Sequence, residues 1–159
     1  MWFAKAVAGA VNYMVEPDPD FLKIGQHNFA LNNLTGTFIN AYIGDKSRCS
    51  GSATPQIKVD DIIDEYKIPF VGIVHGDIQS ADYSMLLGCK RALKKNKIGY
   101  FFISTHTDEI HSRCLDFLIS HDFHIVAQHA IKESCSADGL IVARSNKIAG
   151  INSVEVTKL

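Results

Sequence analysis

Five polar side chains lie where apolar runs of this chain end, and their types suit proton transfer and the binding of polar ligands. They are Glu16, His75, Asp77, Gln79 and His106. The apolar runs are typical of buried strands, and in open α/β sheets ligands bind beyond the C-terminal ends of the parallel strands. We therefore expect these side chains to border one site.

Glu16 ends its strand with a carboxylate, which in nucleotide-binding sheets accepts hydrogen bonds from a ribose diol. An acid at a strand end is also common where no ligand binds, so this residue alone leaves both interpretations open. The acid normally follows a Gly-rich turn by about 20 residues. Counting back from Glu16 places that turn before Met1, and Gly9 is a lone glycine inside a helical pattern. The first strand and its glycine loop are therefore expected to be missing.

The segment from His75 to Asp82 is the most polar stretch that follows a buried strand. His75 and Asp77 could serve there as a base and a ligand-holding carboxylate. The alternative is structural: Asp77 and Ser80 cap the following helix, and His75 is an ordinary loop histidine. The residues themselves do not decide between the two.

The histidines give little indication of a metal centre. His106 and His111 are five residues apart, which is off the i, i+4 spacing that places two ligands on one helical face. We therefore predict no metal site and expect His106 to line a substrate pocket. A nucleophile elbow (G-x-S-x-G) and a phosphate-binding loop (G-x-x-x-x-G-K) are both missing from the sequence.

Composition excludes several classes of protein. The 159 residues carry a net charge of −1, without the basic excess of a nucleic-acid binder. Apolar runs fall short of the ~20 residues that span a bilayer, and Lys5 interrupts the apolar start, which favours an amphipathic helix over a signal peptide. Cys49, Cys89, Cys114 and Cys135 are widely spaced, so we expect no zinc ribbon and a reducing cytoplasm, with Cys89 and Cys114 as core thiols.

Strand and helix patterns alternate along the chain. Helices are predicted over residues 2–11, 18–32 and 60–66, from a Ser80 cap through Leu93, and onward from a Thr107 cap; strands over 12–16, 37–43, 57–59, 68–75, 98–104, 124–128 and 139–143; and a loop over 45–56. This alternation predicts one α/β domain over residues 1–159, with a mostly parallel sheet covered on both faces. A short hairpin-like loop joins the last two strands, which should pair antiparallel.

Several segments together resemble the FkbM-type class I S-adenosylmethionine (SAM)-dependent methyltransferases. The matching segments are VEPDP at 15–19, NFALNNL at 28–34, NAYIG at 40–44, VHGDIQSAD at 74–82, MLLG at 85–88, STH at 104–106 and ESCSADGLIVA at 133–143. The resemblance covers roughly residues 2–145. Ser80 stands where the family signature has glycine, and Asp82 stands where it usually has Glu.

The resemblance implies a Rossmann-like methyltransferase sheet, SAM as cofactor, and methyl transfer to an oxygen of a sugar, glycolipid or secondary metabolite. Position by position, it implies that Glu16 holds the ribose hydroxyls and that Asn40 and Ala41 lie near the adenine. Asp77 and Gln79 would face the transfer site, with His75 as base.

The expected loss of the first strand has consequences for the sheet. That strand normally lies at the centre of the sheet, so its loss should leave two open strand edges, which favour homo-oligomers. The alternative to an enzyme is a non-catalytic, degenerate domain that keeps the fold for binding or assembly. A different nucleotide-using enzyme of this fold is disfavoured, because the sequence has no glycine fingerprint.

Overall fold

The computed structural model describes residues 2–48 and 54–157, and its architecture is mixed α/β, as predicted. The elements are α1 Trp2–Ala6, β1 Tyr13–Val15, α2 Pro19–Leu31, β2 Thr37–Ile39, β3 Tyr42–Ile43, β4 Gln56–Ile57, α3 Val59–Glu65, β5 Val71–Gly76, α4 Asp82–Leu87, α5 Lys90–Lys94, β6 Ile98–Thr105, α6 Asp108–Ser120, β7 Phe123–His129 and β8 Gly139–Ser145. Cys49 and part of the predicted loop over 45–56 lie outside the described residues.

The described strands form three hydrogen-bonded groups rather than one continuous sheet. The largest has the order β5-β6-β8-β7, with β5 parallel to β6 and β8 antiparallel to both of its neighbours. β1 pairs in parallel with β2, and β3 in parallel with β4. The predicted antiparallel pairing of the last two strands is confirmed. The two open strand edges that the sequence predicts are also found, because among the described residues β1 and β5 each have a ladder on one side only.

One face of the four-stranded sheet carries the core. Burial alternates along β6, with Phe101 and Ile103 fully buried and Tyr100 and Phe102 partly exposed. Helices α3 to α6 all contribute side chains to the same core cluster. The other face is covered less completely, since Gly72 and His75 on β5 are exposed, so the predicted covering of the sheet on both faces is wrong for β5.

The chain after β8 packs beside this second face. The buried Arg144 guanidinium donates to the carbonyl oxygens of Ile148 and Ile151 and, at 3.0 Å, to Asn152 Oδ1. A Cβ at Gly150 would overlap the Tyr100 hydroxyl, so a larger residue there would displace the Tyr100 or Arg144 side chain. The segment that follows β8 is therefore held to the sheet by the buried Arg144, together with hydrogen bonds that join β7 to Asn152 and Val154.

In the N-terminal half of the chain, some helix boundaries agree with the sequence-based predictions and others do not. Asp18 caps α2 as predicted, its Oδ1 accepting the Asp20 N–H at 2.8 Å, and Pro19 occupies the first turn. α1 ends at Ala6 rather than near residue 11, because the chain turns at Gly9 with φ +74°. The large apolar side chains of α2 are mostly exposed: Phe29 is buried, but Phe21 is 64% exposed.

The helix predicted after Ser80 is broken in two at Gly88. A Cβ at Gly88 would overlap the Gly44 carbonyl oxygen, so this close approach requires glycine. Asp60, only 4% exposed, caps the second piece: its carboxylate accepts the Arg91 and Ala92 N–H groups, each at 2.8 Å. The break thus depends on two long-range contacts.

Cys89 and Cys114 lie in the core with no exposed surface, as predicted. Burial raises the pKa of the Cys114 thiol to about 12, with a further contribution from the Asp82 carboxylate. Burial likewise raises the pKa of the Cys89 thiol. Both thiols are therefore structural.

Replacing Asp60 by alanine should lower the free energy of unfolding by about 2–3 kcal/mol, because the two N–H groups at the start of α5 lose a charged, buried acceptor. Urea unfolding measures this. The matched control is Asp64→Ala, which removes an ion pair between exposed side chains of Asp64 and Arg91 and should cost under about 1 kcal/mol. Equal losses in the two variants would contradict the capping role.

Candidate functional site

A cavity of about 270 Å³ opens where the ends of three strands meet. β1 and the residues after it contribute Val15, Glu16 and Pro17; the β3 region contributes Ala41, Tyr42 and Ile43; the segment between β5 and α4 contributes Asp77, Ile78, Gln79 and Ala81. Four of the residues that the sequence singled out therefore line one space: Glu16, Ala41, Asp77 and Gln79. The N-terminal strands form one wall, and the end of β5 forms the other.

Asn40 positions the Glu16 wall rather than lining the cavity. Its Nδ2 donates to the carbonyl oxygens of Glu16 and Pro17, both at 2.9 Å. The Glu16 carboxylate is oriented by its own chain, since Oε1 accepts the Asp18 N–H at 2.8 Å. The bonds tie the ends of β1 and β2 together, so Glu16 and Ala41 face the same space.

The opposite wall is built on a tight turn. Gln79 and Ser80 both adopt left-handed backbone conformations, with φ of 49° and 72°. α4 then begins at Asp82, and its N-cap residue Ala81 makes no side-chain cap, so the predicted capping role of Ser80 is wrong. Left-handed φ is the conformation that glycine adopts most readily. The turn therefore holds two residues other than glycine in strained backbone conformations.

His106 joins this turn to two other segments. Its Nε2 lies 3.2 Å from Asp77 Oδ1 and 3.7 Å from Asp138 Oδ1, and its Nδ1 lies 3.2 Å from Asp82 Oδ2. Asp82 is fully buried, whereas the side chains of Asp77 and Asp138 are about half exposed. His106, predicted to line a pocket, is not among the residues that line this cavity; it lies behind Asp77 and is bordered by three carboxylates.

Two of these three carboxylates were missed as site residues. In the sequence, Asp82 is only a departure from the family signature, and Asp138 is only part of a matching segment. Asp138 is presented by the loop before β8, where the Ser136 hydroxyl accepts its N–H at 3.3 Å and donates to its carbonyl oxygen. The signal available in the sequence was a polar residue directly before a strand, which is too common to single it out.

A buried hydrogen-bond network around His111 lies next to the loop that precedes β8. His111, 3% exposed, lies 2.8 Å from Thr105 Oγ1 through Nδ1 and 3.1 Å from Gln128 Oε1 through Nε2. An amide oxygen only accepts, so Nε2 carries the proton and Nδ1 accepts from the Thr105 hydroxyl. A Cβ at Gly139 would overlap Thr105 Oγ1. His111 therefore holds the edge of the sheet.

The structure does not bring His75 into the cavity. It lies on β5 opposite Phe102, on the partly exposed face of the sheet, while Val74 and Gly76 are buried. The cavity is lined instead by Asp77, which follows the strand, and His106 lies beside Asp77.

Comparison with known proteins gave no match: no family model, no curated protein and no solved structure resembles this chain at a significant level. Within the described ranges, none of the helices has both the length and the apolar character needed to cross a membrane.

Ser80→Gly should raise the free energy of unfolding by about 0.5–1 kcal/mol, because a serine at positive φ is strained and glycine is not. Ser84→Gly is the matched control: it lies inside α4, where glycine should cost up to about 1 kcal/mol. Thermal unfolding of both variants measures the difference. A loss of stability in Ser80→Gly would show that the serine side chain, not the backbone, holds the turn.

Proposed function

We propose that this protein is an FkbM-type, SAM-dependent methyltransferase that acts on an oxygen of a sugar, glycolipid or secondary metabolite. The observation that carries the proposal is the shared cavity. Glu16 and Ala41, which the resemblance assigns to the cofactor, line the same space as Asp77 and Gln79, which it assigns to methyl transfer. The strands that supply these residues are far apart in sequence, so the convergence is a property of the fold.

The arrangement of strands supports the same proposal. β1, α2 and β2 form a parallel strand–helix–strand unit, and β5 and β6 are parallel neighbours followed by the antiparallel strands β8 and β7. The cavity lies beyond the C-terminal ends of β1, β2 and β5, where open α/β folds bind their ligands, and β3 itself forms part of its lining. These features are compatible with a Rossmann-like fold.

The lining suits the nucleoside half of the cofactor. With Oε1 of Glu16 already engaged by the Asp18 N–H, Oε2 would accept from the ribose hydroxyls. Ala41, Ile43 and Ile78 offer apolar walls for the adenine ring. The cavity of about 270 Å³ is just below the roughly 300–1,000 Å³ usual for small-molecule sites, which suits part of such a ligand.

At the other end of the cavity, Asp77 would attract the positive charge of the cofactor, and Gln79 would orient the acceptor. The chemistry that bound SAM supplies is an electrophilic methyl group on a positively charged sulfur. The half-exposed Asp77 carboxylate would attract that positive charge, and the Gln79 amide would orient an acceptor hydroxyl. Holding the acceptor oxygen in line is the larger part of such catalysis.

The free thiols Cys89, Cys114 and Cys135 support a location in the reducing cytoplasm.

The second candidate function is a non-catalytic domain retained for binding or assembly. The exposed apolar side chains on α2 favour it, since Phe21, Ile24 and Leu31 are each more than half exposed. Homo-oligomers would cover such a face. Cofactor binding separates the two candidates.

Isothermal titration of the 159-residue chain with SAM should give saturable binding with a Kd on the order of micromolar. Glu16→Gln should weaken it by about tenfold, because a neutral amide accepts the ribose hydroxyls less strongly than a carboxylate. Glu65→Gln, at the exposed end of α3, is the matched control and should bind like the unaltered chain. If SAM produces no saturable heat, the non-catalytic alternative replaces the enzyme.

A further inference from the structure

Carboxylates line both walls of the cavity, with Glu16 after β1 and Asp77 after β5. We propose that these charges make the site select SAM over S-adenosylhomocysteine, the product that remains after methyl transfer, and that Asp77 is the specificity-determining residue. This inference rests on the proposed methyltransferase function and deepens it, because it concerns which form of the cofactor the same site retains.

The negative charge at the Asp77 end of the cavity belongs to a cluster of carboxylates. Asp77 Oδ1 lies 3.2 Å from His106 Nε2, and the same imidazole lies 3.2 Å from Asp82 Oδ2 and 3.7 Å from Asp138 Oδ1. Even a doubly protonated His106 offsets only one of these carboxylates, so the cluster keeps a net negative charge. Asp77 is the member of the cluster that lines the cavity, and its side chain is half exposed.

The size of the cavity brings both carboxylates within reach of any ligand in it. In the described lining, the charged side chains are Glu16 and Asp77, both acidic. A space of about 270 Å³ is roughly 10 Å across, close to the distance of about 10 Å over which 0.1 M salt screens exposed charges. A positive charge held anywhere in the cavity is therefore attracted by both walls, and the attraction does not depend on one pose of the ligand.

SAM and its product differ mainly in the charge on sulfur. Methyl transfer leaves a neutral thioether in the site, because the electron pair of the broken carbon–sulfur bond stays on sulfur, while the acceptor oxygen takes the methyl carbon and gives its proton to water. The adenosine and the amino-acid end are common to both molecules. Selectivity is a difference of two affinities, so the contacts of Glu16 with the ribose and of the apolar walls with the adenine cancel. The attraction of the carboxylates for the sulfonium remains.

The expected selectivity is modest, because Asp77 is half exposed and water weakens its field. Two opposite unit charges about 4 Å apart in water attract each other enough to favour the charged ligand by about fivefold. The second carboxylate and the partly enclosed cavity add to this value. We therefore expect SAM to bind at least about fivefold more tightly than S-adenosylhomocysteine, so that the product leaves more readily than the cofactor.

Isothermal titration of the 159-residue chain with three ligands tests the proposal. They are SAM, S-adenosylhomocysteine and sinefungin, in which an amino-bearing carbon replaces the sulfonium and keeps a positive charge there. SAM and sinefungin should bind within about threefold of each other, and both at least about fivefold more tightly than the product. The preference should shrink when NaCl is raised from about 0.05 M to about 0.5 M. A product that binds as tightly as SAM, or sinefungin that binds as weakly as the product, would overturn the proposal.

Asp77→Asn removes the charge and keeps the shape of the side chain. SAM affinity should fall by about fivefold, toward that of the product, while the affinity for the product stays the same. Asp116→Asn is the matched control, since Asp116 is an exposed carboxylate on α6 outside the lining, and it should keep the full preference for SAM. An unchanged preference in Asp77→Asn would remove Asp77 from the proposed role. If Asp77→Asn does not fold, the three ligands on the unaltered chain decide alone.

The same titrations separate this proposal from the one on which it rests. If all three ligands bind with equal affinity, selection by charge is wrong and the methyltransferase stands. If none of them gives saturable heat, the proposed function fails, and selection by charge fails with it.

Discussion

The contact between buried Asp82 and His106 is the constraint on which the rest of the site depends. It joins the start of α4 to the residue that follows β6, and it places Nε2 between Asp77 and Asp138. A fully buried carboxylate is tolerated only when it is hydrogen-bonded, so the imidazole cannot leave without a large cost. The Ser80 N–H lies 3.3 Å from Nδ1 of the same ring. One interaction thus orders three segments around the end of the cavity.

The opposite wall depends on weaker, more dispersed contacts. No ladder joins β1 to β5 in the described part of the chain. The wall that contains Glu16 is therefore held in place by side-chain packing and by close backbone contacts. The Tyr13 ring packs 5.0 Å from that of Tyr66, at the end of α3, and Gly88 approaches the Gly44 carbonyl oxygen. The width of the cavity therefore depends on how firmly these contacts hold. This is the physical reason for testing cofactor binding directly.

Signals that act over a few residues were predictable from the sequence. Asp18 and Thr107 cap their helices as expected, because a cap bonds to N–H groups two or three residues ahead. The break at Gly88 was not predictable from the sequence, because it depends on the close approach of Gly44 and on the Asp60 cap, both distant along the chain. The conformation of Ser80 depends on His106, 26 residues away. Glu16, Ala41, Asp77 and Gln79 converge because they follow strands whose ends meet, whereas Asp138 joins the site only through packing of the loop before β8.

The central claim is that the shared cavity binds an adenosine-containing cofactor between its two walls. The most direct measurement is a ¹H–¹⁵N spectrum of the backbone amides, recorded while S-adenosylhomocysteine is added. Shifts are expected only in the lining, in residues 15–16, 41–43, 77–79 and 81, and none in the exposed helix α2 around His27. Shifts at one wall alone, or none at saturating ligand, would contradict it.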